Sequence, residues 1–556
     1  MISSFRLKFG RAPGVPPEDI FVSPITVFVG PNNSGKSRVL GEIANACQGG
    51  GAGGNSQLLE TLNFAGLPNT SVMTAIERIS MALGPGERLQ EGQILIGKGT
   101  NRNVVAVETI RNLLQNPSAN SGAFCNLFLR HSTLILNGVN RINLISDQQL
   151  GDLQTQPTTS LQTLFRDDAK RQEVRRILFD AFGVQFVIDP TSSGQLRIRL
   201  SNRAPQSVKE ERSLDEDAIK FYTAALHISG ASDGVKAFAG IIVELKAGDP
   251  SVLLIDEPEA FLHPSLASKL GLEVSRSAQS AEKRVFVSTH SPAFVMGCIQ
   301  SGAPVTIVRL TYRGGVATAR VLLGTDILEL MRHPLLRSTG VLSGLFYEFV
   351  VVTESDADRA FYQEVNERLL QFRPEWGIPN CLFINAQNKT TVQMILRPLR
   401  KLGIPAAGII DIDILKNKGS DWTNLLTSSN IPEISHQSLA TIRAAVKEAM
   451  DATGRDMKRD GGLHILSTAD REAAENLLTQ LSNYGIFVVP GGELESWVKQ
   501  LGATGHGPAW LIKVFEKMGE NPEATDYVRP ADGDVWKFMS QIKEWLSNPN
   551  RRGIPE

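Results

Sequence analysis

Residues 25–46, ITVFVGPNNSGKSRVLGEIANA, constrain the fold of this chain more than any other stretch. The first five residues form an apolar strand pattern, and the last ten place apolar side chains at helical spacing. Between them GPNNSGKS, at 30–37, satisfies G-x-x-x-x-G-K-[ST] with the strand before it and the helix after it that the motif requires. Such a turn offers unpaired backbone N–H groups and the positive end of a helix dipole, which together surround phosphate. Gly30, Asn33 and Gly35 shape the loop, Lys36 is placed to reach the β and γ phosphates, and Ser37 is placed to hold Mg2+. The expected ligand is a nucleotide that carries a γ phosphate.

Two further strand ends extend this site. VLLIDEPEAFLHP, at 252–264, is an apolar run closing on adjacent acids: a buried strand delivers Asp256 to the Mg2+ shell and leaves Glu257 to polarise an attacking water. That second acid argues for hydrolysis over binding alone. VSTHSPAF, at 287–294, offers His290 to the γ phosphate or to the water.

At 556 residues, with 42% hydrophobic, the chain exceeds one ordinary core, so two or three globular domains are expected. From SVLLIDEP through RVFVSTHSP and PVTIVRL, strand runs alternate with helical spacers, as in an α/β sheet. A second alternation follows: FVVVTES, CLFINAQ, AAGIIDIDIL and GIFVVPGGELE. The resulting division is a P-loop domain over 1–340 with an insertion at about 57–220, a second α/β domain over 341–500, and a helical extension over 501–556. Within the insertion, VQFVIDPTSSGQLRIRL reads as a hairpin, and CQGGGAGGNS before it as a mobile loop without a role.

Lys plus Arg number 57 and Asp plus Glu 58, a balance that neither advertises nor excludes a polyanionic partner. Cys47, Cys125, Cys298 and Cys381 show no zinc or disulfide spacing, which fits a reducing compartment. MISSFRLKFG lacks a signal-peptide core, and no apolar run approaches the roughly eighteen residues that cross a bilayer. A cytoplasmic protein without membrane contact is expected.

The second alternation carries its own acids. VVVTESDADRAFY, at 350–362, places Glu354 at a strand end and Asp358 four residues on; GIIDIDIL places Asp411 and Asp413 at another; VVPGGELESW adds Glu493 and Glu495 after a third. Strand-end acids on adjacent parallel strands converge at one sheet edge. Gathered carboxylates raise one another's pKa unless cations neutralise them, and hard oxygen ligands suit Mg2+ or Mn2+.

Taken together, GPNNSGKS, ISGASDGVKAF at 228–238, LLIDEPEAFLHP and STHSP resemble the ABC-type ATPase heads of the SMC-like and AAA-21 groups. The resemblance implies that SDGVK, Ser232 to Lys236, caps a nucleotide held by the phosphate loop of a second subunit, in a homodimer or higher homo-oligomer with composite ATP sites. The wording departs from LSGGQ, so the donor is Ser229 or Ser232, with Ser232 and Gly234 favoured. The Glu, Asp-x-Asp and later acidic pattern resembles a TOPRIM domain, a Rossmann-like α/β module that handles phosphodiesters with metals. In this order the two resemble the overcoming-lysogenisation-defect (OLD) family of ATPase-nucleases, to which the nuclease subunit of the Gabija phage-defence system also belongs.

What this resemblance implies is an ATP-dependent, metal-dependent DNA endonuclease of bacterial anti-phage defence, with DNA as partner and a helicase or other defence subunit as a further one. Glu354, Asp358, Asp411, Asp413 and Glu495 would bind two metals, with Glu493 as an additional candidate, and Glu354, Asp411 and Asp413 would carry the nuclease chemistry. The family's late lysine has two candidates, Lys513 and Lys537. Competing readings are an ATP-driven sensor or scaffold with an inactive TOPRIM site, and an SMC-like repair ATPase, which usually has long heptad arms that this sequence lacks.

Overall fold

The computed structural model of the chain describes residues 1–50, 55–84, 86–98, 101–248, 250–279 and 282–555. Residues 51–54 of the glycine-rich stretch lie outside that set. The chain divides into two compact units, Met1–Leu328 and Glu329–Glu556. The division precedes the expected boundary near 340 because the short helix Pro334–Ser338 packs on the turn Val341–Phe346, which in turn packs on Cys381–Asn385 and Lys389–Lys401 of the second unit.

The first unit is built on a six-stranded sheet. In chain order its elements are β1 (Ile25–Val29), α1 (Lys36–Gly49), β2 (Thr133–Leu136), α2 (Gly138–Asn143), α3 (Asp233–Val243), β3 (Val252–Asp256), β4 (Arg284–Ser288), β5 (Val305–Arg313) and β6 (Val316–Leu323). The spatial order is β6-β5-β1-β4-β3-β2, parallel except for the antiparallel edge strand β6. All five residues of β1 are buried, as a strand covered on both faces requires, which explains why four of the five, all but Thr26, are apolar. Phe28 of β1 and Phe286 of β4 pack against Phe5, on a three-stranded antiparallel sheet of Asp19–Phe21, Ile2–Leu7 and Leu59–Phe64.

The expected insertion at 57–220 is therefore not continuous. Leu59–Phe64 pairs antiparallel with Ile2–Leu7, and β2 pairs parallel with β3, so two segments inside that range are integral strands of the unit. The sequence hid this because Thr133–Leu136 spans only four residues, too few to show a period. The expected hairpin is present, with Gln185–Ser192 paired antiparallel to Gln195–Ser201.

The second unit contains β7 (Phe349–Thr353), α4 (Asp356–Phe372), β8 (Cys381–Asn385), α5 (Lys389–Lys401), β9 (Ala406–Ile410), β10 (Ile486–Val488), α6 (Pro508–Met518) and α7 (Asp534–Ser547). Its sheet is wholly parallel, ordered β8-β7-β9-β10. Between β9 and β10 the chain leaves the sheet for three helices, Ser420–Ser428, Glu433–Ala452 and Thr468–Ser482. Both α6 and α7 pack on α4, and the core they close includes Trp497, Trp510, Trp536 and Trp545 with Phe361, Tyr362 and Phe487. The Trp497 indole N–H donates to the Tyr362 hydroxyl at 2.9 Å and that of Trp545 to the Asn483 carbonyl at 3.1 Å, so two of these aromatic side chains satisfy their polar handles.

Candidate functional site

In the first unit the carboxyl ends of β1, β3 and β4 lie side by side, because they are neighbours in the sheet. The loop leaving β1 needs positive φ at Gly30, Asn33 and Gly35, at 142°, 61° and 92°. At Gly30 a Cβ would also lie 2.1 Å from the Leu310 carbonyl oxygen, so only glycine fits where the loop meets β5. The buried Lys36 ammonium donates to the carbonyls of Gly30 (2.9 Å) and Pro31 (2.8 Å). Burial holds its pKa down to about 8, against the opposing pull of Glu257, Asp256 and Glu259.

Asp256, the last residue of β3, accepts hydrogen bonds from Ser37 Oγ at 2.9 Å and from the Ser288 hydroxyl at the end of β4. Ser37 and Asp256 thus meet as a hydroxyl–carboxylate pair, the hard-oxygen donor set that suits Mg2+. Glu257 is half-exposed and has φ 49°, a left-handed conformation that costs a non-glycine residue roughly 1–3 kcal/mol. Its N–H donates to the Ser288 carbonyl at 2.9 Å, and its Oε1 lies 3.6 Å from His290 Nε2. The His290 backbone N–H donates to Glu259 Oε1 at 2.6 Å, while burial and the Lys36 charge hold the imidazole below its ordinary pKa.

Of the two serine donors, Ser229 has its hydroxyl 2.7 Å from His227 Nδ1, and that histidine's Nε2 lies 3.0 Å from Asp147. Ser232 is exposed and stands at the N-terminus of α3 without capping it. Gly234 lies in the first turn, where a Cβ would be 2.7 Å from the Phe261 carbonyl oxygen.

The second unit repeats the sheet-edge arrangement with opposite chemistry. Glu354 follows β7 and its Oε1 accepts the N–H of Asp411, which follows the neighbouring β9, at 2.9 Å. Burial raises the pKa of both, reinforced by the Asp411 charge on Glu354 and by Asp358 and Asp413 on Asp411. Asp413 is not a strand residue: the chain turns into a short 3-10 helix at Ile412–Lys416, and Asp413 Oδ2 accepts from Lys389 Nζ at 2.7 Å. Asp358 forms a capping box with Ser355 at the start of α4, accepting from the Ser355 N–H at 2.9 Å, and burial raises its pKa too. Glu493 is buried, and Glu495 Oε1 accepts the Gly507 N–H at 2.6 Å beside His506 Nδ1 at 2.7 Å. One ligand atom from each of Glu493, Glu495 and His506 falls within 4.8 Å of the others.

The cation among these acids is neither Lys513, which donates to the Thr504 carbonyl, nor Lys537, which lies over the Trp376 ring. Besides Lys389 on Asp413, it is Lys458, whose Nζ is 2.7 Å from Asp411 Oδ2 and 3.9 Å from Glu493 Oε2. Burial opposes its charge, but the Asp411 hydrogen bond and the surrounding carboxylates hold its pKa above the ordinary lysine range. Its backbone is locked in place: Gly492 has φ 117°, a Cβ there would lie 2.1 Å from the Lys458 carbonyl oxygen, and the Gly492 carbonyl accepts the Ile412 N–H at 2.9 Å. Asp413 Oδ1 and Glu493 Oε2 are buried without a hydrogen-bond partner among the described residues. Such orphaned oxygens are costly, and hard carboxylate donors of this kind fit Mg2+ or Mn2+.

The phosphate loop and the Ser37–Asp256 pair, on the carboxyl ends of neighbouring parallel strands, define the first unit as a P-loop domain of ATPase type. Residues 162–296 match the AAA_21 family, described as "AAA domain, putative AbiEii toxin, Type IV TA system". No curated protein matches the chain. Among solved structures, an SMC head bound to the C-winged helix domain of ScpA is 16% identical, covering 59% of this chain and 99% of its own, with a TM-score of 0.33. The SMC head domain from Thermotoga maritima is 15% identical, covering 58% and 98%, with a TM-score of 0.29. No helix among the described residues is long and apolar enough to cross a membrane.

Proposed function

We propose that the chain is an ATP-hydrolysing, metal-dependent DNA endonuclease of the OLD type, with its nuclease centre at the Glu354–Asp411 sheet edge. The observation that carries this reading is the gathering of Glu354, Asp358, Asp411, Asp413 and Glu493 at that edge, with two buried carboxylate oxygens that have no hydrogen-bond partner among the described residues. Divalent cations held there would supply Lewis-acid stabilisation and an ionised water for phosphodiester cleavage. Glu354 orients Asp411 through its backbone N–H, and Lys458 offsets part of the local negative charge. DNA as substrate, an anti-phage setting and a further defence subunit follow from the family resemblance of the motifs.

In the first unit Lys36 and the loop N–H groups would hold the phosphates, Ser37 and Asp256 would hold Mg2+, and Glu257 would orient the water, with His290 against its carboxylate. The exposed, uncapped start of α3 at Ser232 supports composite sites between two copies of the chain.

The test is cleavage of supercoiled and linear DNA by the purified chain with Mg2+ or Mn2+. Cutting is expected to stop in Glu354→Ala and Asp411→Ala while ATP hydrolysis continues; cutting that persists in excess EDTA removes the metal reading. One observation favours the alternative, an ATP-driven sensor or scaffold: ammonium groups of Lys458 and Lys389 already neutralise Asp411 and Asp413. Under that alternative the wild-type chain hydrolyses ATP and leaves DNA intact with either metal.

A further inference from the structure

Arg141, on the short helix α2, is 2% exposed. A guanidinium is rarely buried so completely without an ionic hydrogen-bond partner. Here its Nη1 donates to a backbone carbonyl, that of Glu257, and its Nε has no hydrogen-bond partner among the described residues. The nearby charges of Glu259, Asp256 and Glu257 offset part of its desolvation. The carbonyl that it holds belongs to the residue whose φ of 49° departs from the strand geometry immediately before it. On its other side, the Arg141 carbonyl oxygen faces Gly240 of α3, where a Cβ would lie 2.5 Å away. The helix α2 thus fills the space between the Glu257 peptide and the helix that begins at Ser232.

We infer that Arg141 is a positioning residue for ATP hydrolysis: it holds the Glu257 peptide in its left-handed conformation and so aims the Glu257 carboxylate, and the seat of Arg141 is set by the close approach of α2 to Gly240 on α3. The inference rests on the ATPase reading above. A carboxylate that orients water acts through its geometry, and a misplacement of about 1 Å can cost roughly a hundredfold in rate. Phosphate binding, by contrast, depends on the loop after β1, whereas the hydrogen bond that the Arg141 guanidinium makes among the described residues goes to the Glu257 carbonyl. The signature of the role is therefore a fall in kcat without a matching loss of nucleotide affinity.

The experiment measures steady-state ATP hydrolysis, binding of a fluorescent ATP analogue and thermal melting for the full chain, Arg141→Met, Arg141→Lys and Gly240→Ala. Arg141→Met keeps the apolar volume and removes the donors; its kcat is expected to fall about a hundredfold while affinity for the analogue stays within about threefold. Arg141→Lys, which can still donate to the Glu257 carbonyl, is expected to recover part of that loss. Gly240→Ala displaces α2 without altering any group at the nucleotide, and the same split between kcat and affinity is expected. The inference is overturned if Arg141→Met retains kcat, or if kcat, affinity and melting fall together with no recovery in Arg141→Lys. Should Arg141→Met fail to fold, unchanged kcat in Gly240→Ala overturns it alone. A wild-type chain that binds the analogue but shows no turnover removes the ATPase reading itself.

Discussion

Asp256 and Asp411 occupy equivalent positions, each at the carboxyl end of an inner strand of a parallel sheet, yet their surroundings differ in kind. Asp256 accepts from two hydroxyls, Ser37 and Ser288, and a single lysine, Lys36, donates to the Gly30 and Pro31 carbonyls of the phosphate loop. Asp411 has its N–H taken by another carboxylate and its Oδ2 held by the Lys458 ammonium, with further acids around it. The first edge has its charges distributed for binding phosphate; the second holds an excess of carboxylate that only protons, Lys458, Lys389 or a metal can offset. One sheet geometry thus carries two different charge arrangements, and the difference lies in what the loops after the strands contribute.

The largest expected effect separates the two edges by activity. Lys36→Ala removes the phosphate counter-charge and Glu257→Gln the water-orienting carboxylate, so each should lower ATP turnover by roughly 100- to 1,000-fold. Glu257→Gln should still bind nucleotide, as measured by an ATP analogue. Full turnover in that variant assigns the water to another group. Next in size, Glu354→Ala or Asp411→Ala should reduce metal-supported DNA cleavage at least about a hundredfold and leave ATP turnover intact. Loss of both activities in one variant would erase the contrast, and melting curves then decide whether the fold survived.

A smaller effect tests the native cation. Lys458→Met removes a competitor for the Asp411 and Glu493 oxygens, so Mn2+ should bind several-fold more tightly by isothermal titration, while the chelated protein melts lower. Equal metal affinity in the two proteins would assign Lys458 to a place outside the cation's path. The smallest effect is on pH dependence. Glu354 and Asp411 have raised pKa values in the fold, so their protonated forms stabilise it fully below the ordinary carboxylate range. That contribution is lost as pH rises through the raised values. In EDTA the second unit should therefore melt a few degrees lower at neutral than at mildly acidic pH; Mg2+, or Glu354→Gln, should flatten the slope.

What could be read from sequence follows from how local each feature is. The phosphate loop and Asp256–Glu257 are contiguous with the strands that carry them, and all four strands of the second sheet appear as short apolar runs. Arg141 and Lys458 had no such signal. Arg141 matters because four-residue β2 pairs beside β3, and Lys458 because Gly492 admits its backbone next to the Asp411 turn. Both are contacts made across long separations in the chain, invisible to a period of 2 or 3.6. Asp413 shows the opposite error: the alternation of Asp-x-Asp looks like strand, but the chain had already turned into a 3-10 helix.

The aromatic core beneath the acids has an optical consequence. All 6 tryptophans of the chain, Trp376, Trp422, Trp497, Trp510, Trp536 and Trp545, fall after residue 328, so indole emission reports on the second unit while the ATPase head is dark at that wavelength. Trp497 sits two residues beyond Glu495 and is hydrogen-bonded to Tyr362, one helical turn from Asp358. Under the proposed reading, cation capture at the acids would alter this tryptophan emission, which in a mixture with nucleotide follows the second unit alone.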